Sequence, residues 1–231
     1  MKIMTFNTQH CLNFLEQKVD YDIMAKTIID QGADIIGLNE MFSCCEGSRF
    51  PNQTKKLSEL TGIKNYYFAK AIDSMPDGVY GNGFLSKIGI EKIETILIPD
   101  PCPRRFKDYY ETRCLLKAKL ENGYTVLVCH FGLNLDEQEN AVKTVVENLE
   151  KEKCILMGDF NVTPDNEVLN PIKEVMKDAA EGFCQSAPTF PSDNPRIKID
   201  YIFVSPDITV EYAEIPNVIA SDHRTHIAIV K

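Results

Sequence analysis

Short apolar runs of strand type, each meeting a polar side chain at its end, recur along this chain and narrow its fold more than any other feature. Residues 3–6 run into Asn7, 33–38 into Asn39-Glu40, 126–129 into His130, and 154–157 into Gly158-Asp159-Phe160-Asn161. Residues 199–204 carry Asp200 as their first polar residue, and Ser221-Asp222-His223 precedes a last strand over 227–230. Further strands are expected over 66–71, 79–85, 87–98, 114–120, 124–129 and 208–213, with Glu121-Asn122-Gly123 as a hairpin turn. Helical spacing interrupts them. Ile23, Met24, Thr27 and Ile28 share a face of a helix that Gly32 terminates, and Ala141, Val142, Val145, Val146 and Leu149 mark another that begins near Leu135. A weaker helix is expected over 52–60, and Pro164 is expected to open a helical stretch toward Lys177. Strand–helix–strand units occur in both halves, which points to two sheets packed face to face with helices outside. No composition shift or repeat divides the chain, so residues 1–231 are read as one domain.

Bulk composition removes some function classes. The net charge is −9, from 34 acidic against 25 basic residues. That balance opposes high-affinity duplex binding, which depends on neutralising phosphates, although one local basic patch would suffice for a nuclease. The opening Met1-Lys2-Ile3-Met4-Thr5 has no apolar core of signal-peptide length, and no run approaches the roughly 18 apolar residues of a membrane span. The eight cysteines show no paired metal spacing, and Cys44-Cys45 are adjacent. Reduced thiols in a cytoplasmic protein are the expectation, with no stable membrane association and no obligate protein partner.

Two readings stand for each polar strand end. Asp159 and Asn161 would emerge on one face of a strand tip, where a carboxylate and an amide serve a site; Gly-Asp and Asn-Val-Thr-Pro are also ordinary turn chemistry. Asn7 fits a turn, Glu40 a helix cap, His130 a satisfied core histidine, Asp200 a backbone acceptor and Ser221-Asp222-His223 a solvated loop. Fixed sheets nevertheless aim strand-end side chains into one crevice, and six such ends are hard to assign to turns alone.

In that order the chain resembles a known group, the endonuclease/exonuclease/phosphatase superfamily of DNase I-like metal-dependent phosphoesterases. The matching segments are Thr5-Phe6-Asn7, Gly37-Leu38-Asn39-Glu40, Tyr80-Gly81-Asn82-Gly83-Phe84-Leu85-Ser86, Cys129-His130-Phe131-Gly132-Leu133, Gly158-Asp159-Phe160-Asn161, Ile199-Asp200-Tyr201-Ile202-Phe203 and Ser221-Asp222-His223. The resemblance implies a four-layer αββα sandwich of two mixed sheets flanked by helices, with the active site at the strand ends. It implies Mg²⁺, with Mn²⁺ as an alternative, held by Glu40, Asn7 and Asp222, a set rich in oxygen and free of Cys. Asp159 would activate the attacking water and Asn161 would hold that water or a phosphate oxygen. His223, fixed by Asp200, would lie against the phosphate, and His130 would donate to a phosphoryl oxygen; base and charge stabiliser can be exchanged between Asp159 and His223.

For substrate contact Arg113, which opens a strand beside the cleft, is the expected phosphate ligand, together with Asn161 and His130. Arg196 and Lys198 are second candidates, and Arg104, Arg105 and Lys107 fit a solvated loop. Three functions remain: a hydrolase of a small phosphorylated molecule, either mono- or diester; a DNA endonuclease or exonuclease; and a non-catalytic binding protein. The acidic balance and the complete set of cleft residues favour the first.

Overall fold

A computed structural model describes residues 1–45, 48, 50–74 and 78–231. Its elements in chain order are β1 (Lys2–Asn7), the short ribbon of β2 (Leu12–Asn13) and β3 (Lys18–Val19), α1 (Tyr21–Gln31), β4 (Ile35–Ser43), α2 (Gln53–Thr61), β5 (Asn65–Ser74), β6 (Gly78–Ser86), β7 (Ile90–Leu97), β8 (Cys114–Leu120), β9 (Thr125–His130), α3 (Leu135–Asn148), β10 (Cys154–Asp159), α4 (Asn170–Lys173), β11 (Lys177–Asp178), β12 (Asp200–Val204), β13 (Val210–Glu214) and β14 (His226–Val230). Two six-stranded sheets result, ordered β13-β14-β1-β4-β6-β5 and β11-β12-β10-β9-β8-β7. Each contains one parallel pair, β1 with β4 and β10 with β9, and its other pairings are antiparallel.

Alternation sorts the side chains into layers. Ile3, Ile35, Phe84, Val126, Val128, Ile155, Met157, Ile202 and Ala228 meet between the sheets. Met4, Phe6, Ile36 and Leu38 point the other way, under Met24, Ala25 and Ile28 of α1 and Leu57 of α2. Leu127, Leu156, Tyr201 and Phe203 cover the outer face of the second sheet beneath Ala141, Val142 and Val145 of α3 and Ile172 of α4. The order is therefore αββα, as expected. The helices begin where local chemistry says they should: the Asp20 carboxylate caps α1 by accepting from Asp22 and Ile23 N–H at 3.1 Å, and Gly32 ends it at φ +66°.

Three local expectations change. Pro164 does not open a helix. It sits in a turn closed by Asn166 N–H on the Thr163 carbonyl at 3.0 Å, and the Asn166 side chain then caps a short 3₁₀ turn at Glu167–Leu169 ahead of α4. Lys177 belongs to a two-residue strand. The strand expected to stop at Leu38 continues through Glu40 to Ser43, because a bulge between Leu38 and Met41 lets the pairing with β6 resume. Among the described residues no helix is long and apolar enough to cross a membrane.

Gly158 sits where the backbone of β10 leaves no room for a side chain against β9. It pairs with Cys129 at φ +145°, and an added Cβ would stand 1.9 Å from the Cys129 carbonyl oxygen. Gly158→Ala is expected to cost about 3 kcal/mol through backbone strain and forced displacement of β9. For a chain of this size that lowers Tm by about 6–12 °C. Thermal denaturation checks it, and an unchanged Tm rejects the contact.

Candidate active site

The carboxyl ends of the two parallel pairs open into one crevice, where fixed strands aim side chains at a ligand. Strand parity supplies the residues: Asn7 follows Ile3 and Thr5 on the inward face of β1, His130 follows Val126 and Val128 on β9, and Asp159 follows Ile155 and Met157 on β10. Asp200 opens β12 on the inward side with Ile202 and Val204. Glu40 departs from alternation. It occupies the bulge at φ +58°, which takes it off the regular ladder and leaves its side chain 23% exposed.

Asp159 is the hub, 1% exposed. Its Oδ2 accepts from the Asn7 amide at 2.9 Å, and its Oδ1 accepts from Asn161 N–H at 2.9 Å. His130 Nε2 and His223 Nε2 each lie 3.6 Å from Oδ2. Asn7 also donates to Glu40 Oε1 at 3.1 Å, so one amide joins the metal-candidate and water-candidate carboxylates. The far nitrogen of His223 meets Asp200 Oδ2 at 2.9 Å, and the Phe190 ring packs against the imidazole at a 49° tilt, with ring centroids 4.8 Å apart. Asp222 precedes His223, and its Oδ1 accepts from Ser221 at 2.9 Å.

Charge states follow from burial and neighbours. Burial raises Asp159, and Asp200 raises it further, so its carboxyl stands well above the ordinary range although His223 and the Asn7 amide oppose the shift. Burial alone would depress His223, but Asp200 and Asp159 outweigh it and lift the imidazole to about 10. Burial, then Arg113, then His223 push His130 well below its usual value. One histidine is therefore cationic and the other neutral at pH 7. Burial also raises Asp222, and Glu40 adds to that shift.

The eight catalytic and metal candidates drawn from the sequence, Asn7, Glu40, His130, Asp159, Asn161, Asp200, Asp222 and His223, lie in this one constellation. The Asp159–Asn161 pair is built differently from expectation. β10 ends at Asp159, and Asn161 is in left-handed backbone at φ +52°, returned to the carboxylate by its own N–H. The turn chemistry and the site are the same object. Arg113 also lies here, 3.1 Å from His130 Nδ1 and 2.5 Å from Glu111. Lys198 does not face a phosphate; it is buried against Asp178 at 2.5 Å. Arg196 is exposed, and Arg105 pairs with Glu139.

Asn39 and Asn82 lie inside the matching segments but are not among the expected site residues. Asn39 Oδ1 accepts from Asp159 N–H at 3.0 Å, while its amide donates to Asn82 Oδ1 and the Cys129 carbonyl, both at 2.8 Å. Asn82 in turn donates to the Cys114 carbonyl at 3.0 Å. These buried amides tie β4, β6, β8, β9 and β10 together under the site. An amide at an inward strand position, where the facing layer is otherwise apolar, is the signal that points to them. Asn39→Leu leaves three buried groups unpaired and is expected to cost about 2–4 kcal/mol. Equilibrium denaturation is the check, and a cost below that of a surface substitution excludes the role.

The family model for the endonuclease/exonuclease/phosphatase family matches residues 4–223. No curated protein matches the chain in sequence. Among solved structures, an endonuclease/exonuclease/phosphatase from Beutenbergia cavernae superposes with a TM-score of 0.84 at 19% identity, over 100% of this chain and 71% of that one. The mannosyl-6-phosphatase Bt3783 of Bacteroides thetaiotaomicron gives 0.78 at 17%, over 100% and 99%. A D. rerio TDP2 in complex with a single-strand DNA product gives 0.71 at 14%, over 100% and 98%. At these identities the structures establish a shared fold. With the family match across nearly its whole length, the chain belongs to the endonuclease/exonuclease/phosphatase family.

Proposed function

We propose that the protein hydrolyses a small phosphoester by attack of an activated water on phosphorus, with a divalent cation as cofactor. The observation that carries this is Asp159, a buried carboxylate oriented by two N–H donors and set 3.6 Å from each of two histidines in opposite charge states. A raised carboxyl is suited to take a proton from water near neutral pH. The Asn161 turn holds Asp159 in place, and its amide faces the same space. The His223 imidazolium, fixed by Asp200, stabilises charge building on the phosphoryl oxygens or the leaving group, and neutral His130 donates to a phosphoryl oxygen.

Glu40 and Asp222 fit a hard divalent cation, since they offer carboxylate oxygens and load the same wall with negative charge. Asn7, expected as a third ligand, turns its NH2 to Glu40 and Asp159 while its Oδ1 accepts from Gln9 N–H at 3.0 Å, so here it orients the carboxylates. Bound there, Mg²⁺ or Mn²⁺ supplies Lewis-acid neutralisation of the phosphoryl group. The tighter cluster of Asp159, Asp200 and His223, with ligand atoms within 4.8 Å, fits a metal less well. One His223 nitrogen is already on Asp200, and the imidazole between two carboxylates holds its proton.

A small substrate is favoured over duplex DNA because three of the basic residues considered for phosphate contact spend their charge on acids. Arg113 pairs with Glu111, Arg105 with Glu139, and Lys198 with Asp178. Cys11, Cys114, Cys129 and Cys154 are buried thiols raised by burial, which leaves them unreactive and outside the chemistry of the site.

The test is a panel of phosphomonoesters, phosphodiesters, nucleotides and plasmid DNA with Mg²⁺. Chelation is expected to abolish turnover and Mg²⁺ to restore it. Glu40→Gln is expected to raise the Mg²⁺ requirement about 10- to 100-fold. Turnover of plasmid alone, with a steep salt dependence, would replace the small-molecule reading by the nuclease one.

A further inference from the structure

Arg113 stands just before β8 with its side chain 12% exposed, between Glu111, the Tyr80 ring at 6.0 Å and the His130 ring. A guanidinium carries donors only. Its NH1 is 3.1 Å from His130 Nδ1, so in that contact Nδ1 accepts and the ring proton belongs on Nε2. On the other side of the ring, Asn161 Nδ2 lies 3.2 Å from Nε2. That amide cannot turn over freely, because Nδ2 also donates to the Phe131 carbonyl at 3.0 Å.

The two neighbours make opposite demands. Asn161 would have Nε2 accept, which places a ring N–H against the Arg113 N–H. Arg113 would have Nδ1 accept, which places the ring N–H beside the Asn161 amide. A charge-assisted hydrogen bond is about twice as strong as a neutral one, so Arg113 decides. The ring is also neutral, as burial and the Arg113 charge require. His130 Nε2–H and Asn161 Nδ2–H then stand side by side as two donors, with Asp159 Oδ2 at 3.6 Å from Nε2. An anionic oxygen set against both donors relieves their mutual repulsion.

We infer that Arg113 is a positioning residue: it fixes His130 as the Nε2–H tautomer and so converts His130 and Asn161 into a two-donor cradle for one phosphoryl oxygen. Arg113 thus reaches the substrate through His130. The role in turnover rests on the phosphoester reading; the tautomer does not.

Long-range ¹H–¹⁵N spectra of the metal-free protein report the tautomer directly, with His130 assigned by loss of its signals in His130→Gln. Wild type is expected to show Nδ1 unprotonated and Nε2 protonated, and Arg113→Met to lose that single form. On a turned-over phosphoester, Arg113→Met is expected to lower kcat about 10- to 100-fold with KM near wild type, and Arg113→Lys to recover most of it. In a His130→Gln background, Arg113→Met should cost nothing further. A protonated Nδ1 in wild type, or losses that multiply in the double variant, would overturn the inference. A protonated Nε2 in a protein that turns over no phosphoester would uphold the tautomer and sink the hydrolase reading.

Discussion

Asp159→Asn is expected to reduce kcat about 10³- to 10⁴-fold on whichever phosphoester wild type hydrolyses, with circular dichroism unchanged. Asn keeps an oxygen for the Asn161 N–H but cannot take a proton from water. The backbone of Asp159 is anchored independently of its carboxylate: its own N–H is held by Asn39, and Gly158 sets its approach to β9. The effect should therefore fall on chemistry rather than folding. Steady-state kinetics beside an unfolding curve separate the two. A variant with wild-type kcat removes Asp159 from the reaction.

The second large effect belongs to Asp200. Its carboxylate is 2.9 Å from His223 Nδ1 and is wholly buried, so Asp200→Asn takes away the nearest support of the imidazolium. The expected loss is about 10²- to 10⁴-fold in kcat, by analogy with histidine–carboxylate pairs in which the same change disturbs tautomer and charge together. The pH profile carries the sign. In wild type His223 is raised to about 10, so the alkaline limb, where the imidazolium is lost, lies near that pH. In Asp200→Asn the cation loses a counter-charge, and that limb moves to lower pH. Stability follows the same linkage. A histidine raised on folding contributes fully below its ordinary pKa of 6.5, and the contribution disappears as pH climbs through about 10. The difference in stability between wild type and Asp200→Asn should therefore shrink between pH 7 and 10. A constant difference, or an alkaline limb that does not move, contradicts the His223–Asp200 pairing.

Much of the site is legible in the residue pattern itself, for a physical reason. Inward parity along β1, β9, β10 and β12 places Asn7, His130, Asp159 and Asp200 at the same end of two facing sheets. Parity is a local property that the residue pattern encodes. What the pattern does not encode is backbone that leaves the regular ladder. Spacing alone puts Glu40 at a strand end and Asn161 on a strand, whereas Glu40 lies in a bulge and Asn161 in a left-handed turn. Both positions depend on pairing partners far away in sequence. Pro164 departs from expectation for the opposite reason, since Asn166 supplies a competing local cap two residues later. The Asn39–Asn82 network joins β4 and β6, whose adjacency no local spacing reveals, whereas the Arg113–His130 contact lies across the legible β8–β9 hairpin and depends on side-chain geometry at its open end. The basic residues near Asp200 mislead for a related reason. What rules out Lys198 as a phosphate ligand is Asp178, twenty residues earlier in the chain and on β11.

Water attack on phosphorus is the claim on which these roles depend, and isotope placement tests it most directly. Hydrolysis of the best substrate of the panel in H₂¹⁸O with Mg²⁺ should put one ¹⁸O into the phosphoryl product at each turnover and none into the alcohol. Label in the alcohol, which signifies carbon–oxygen cleavage, would contradict the account.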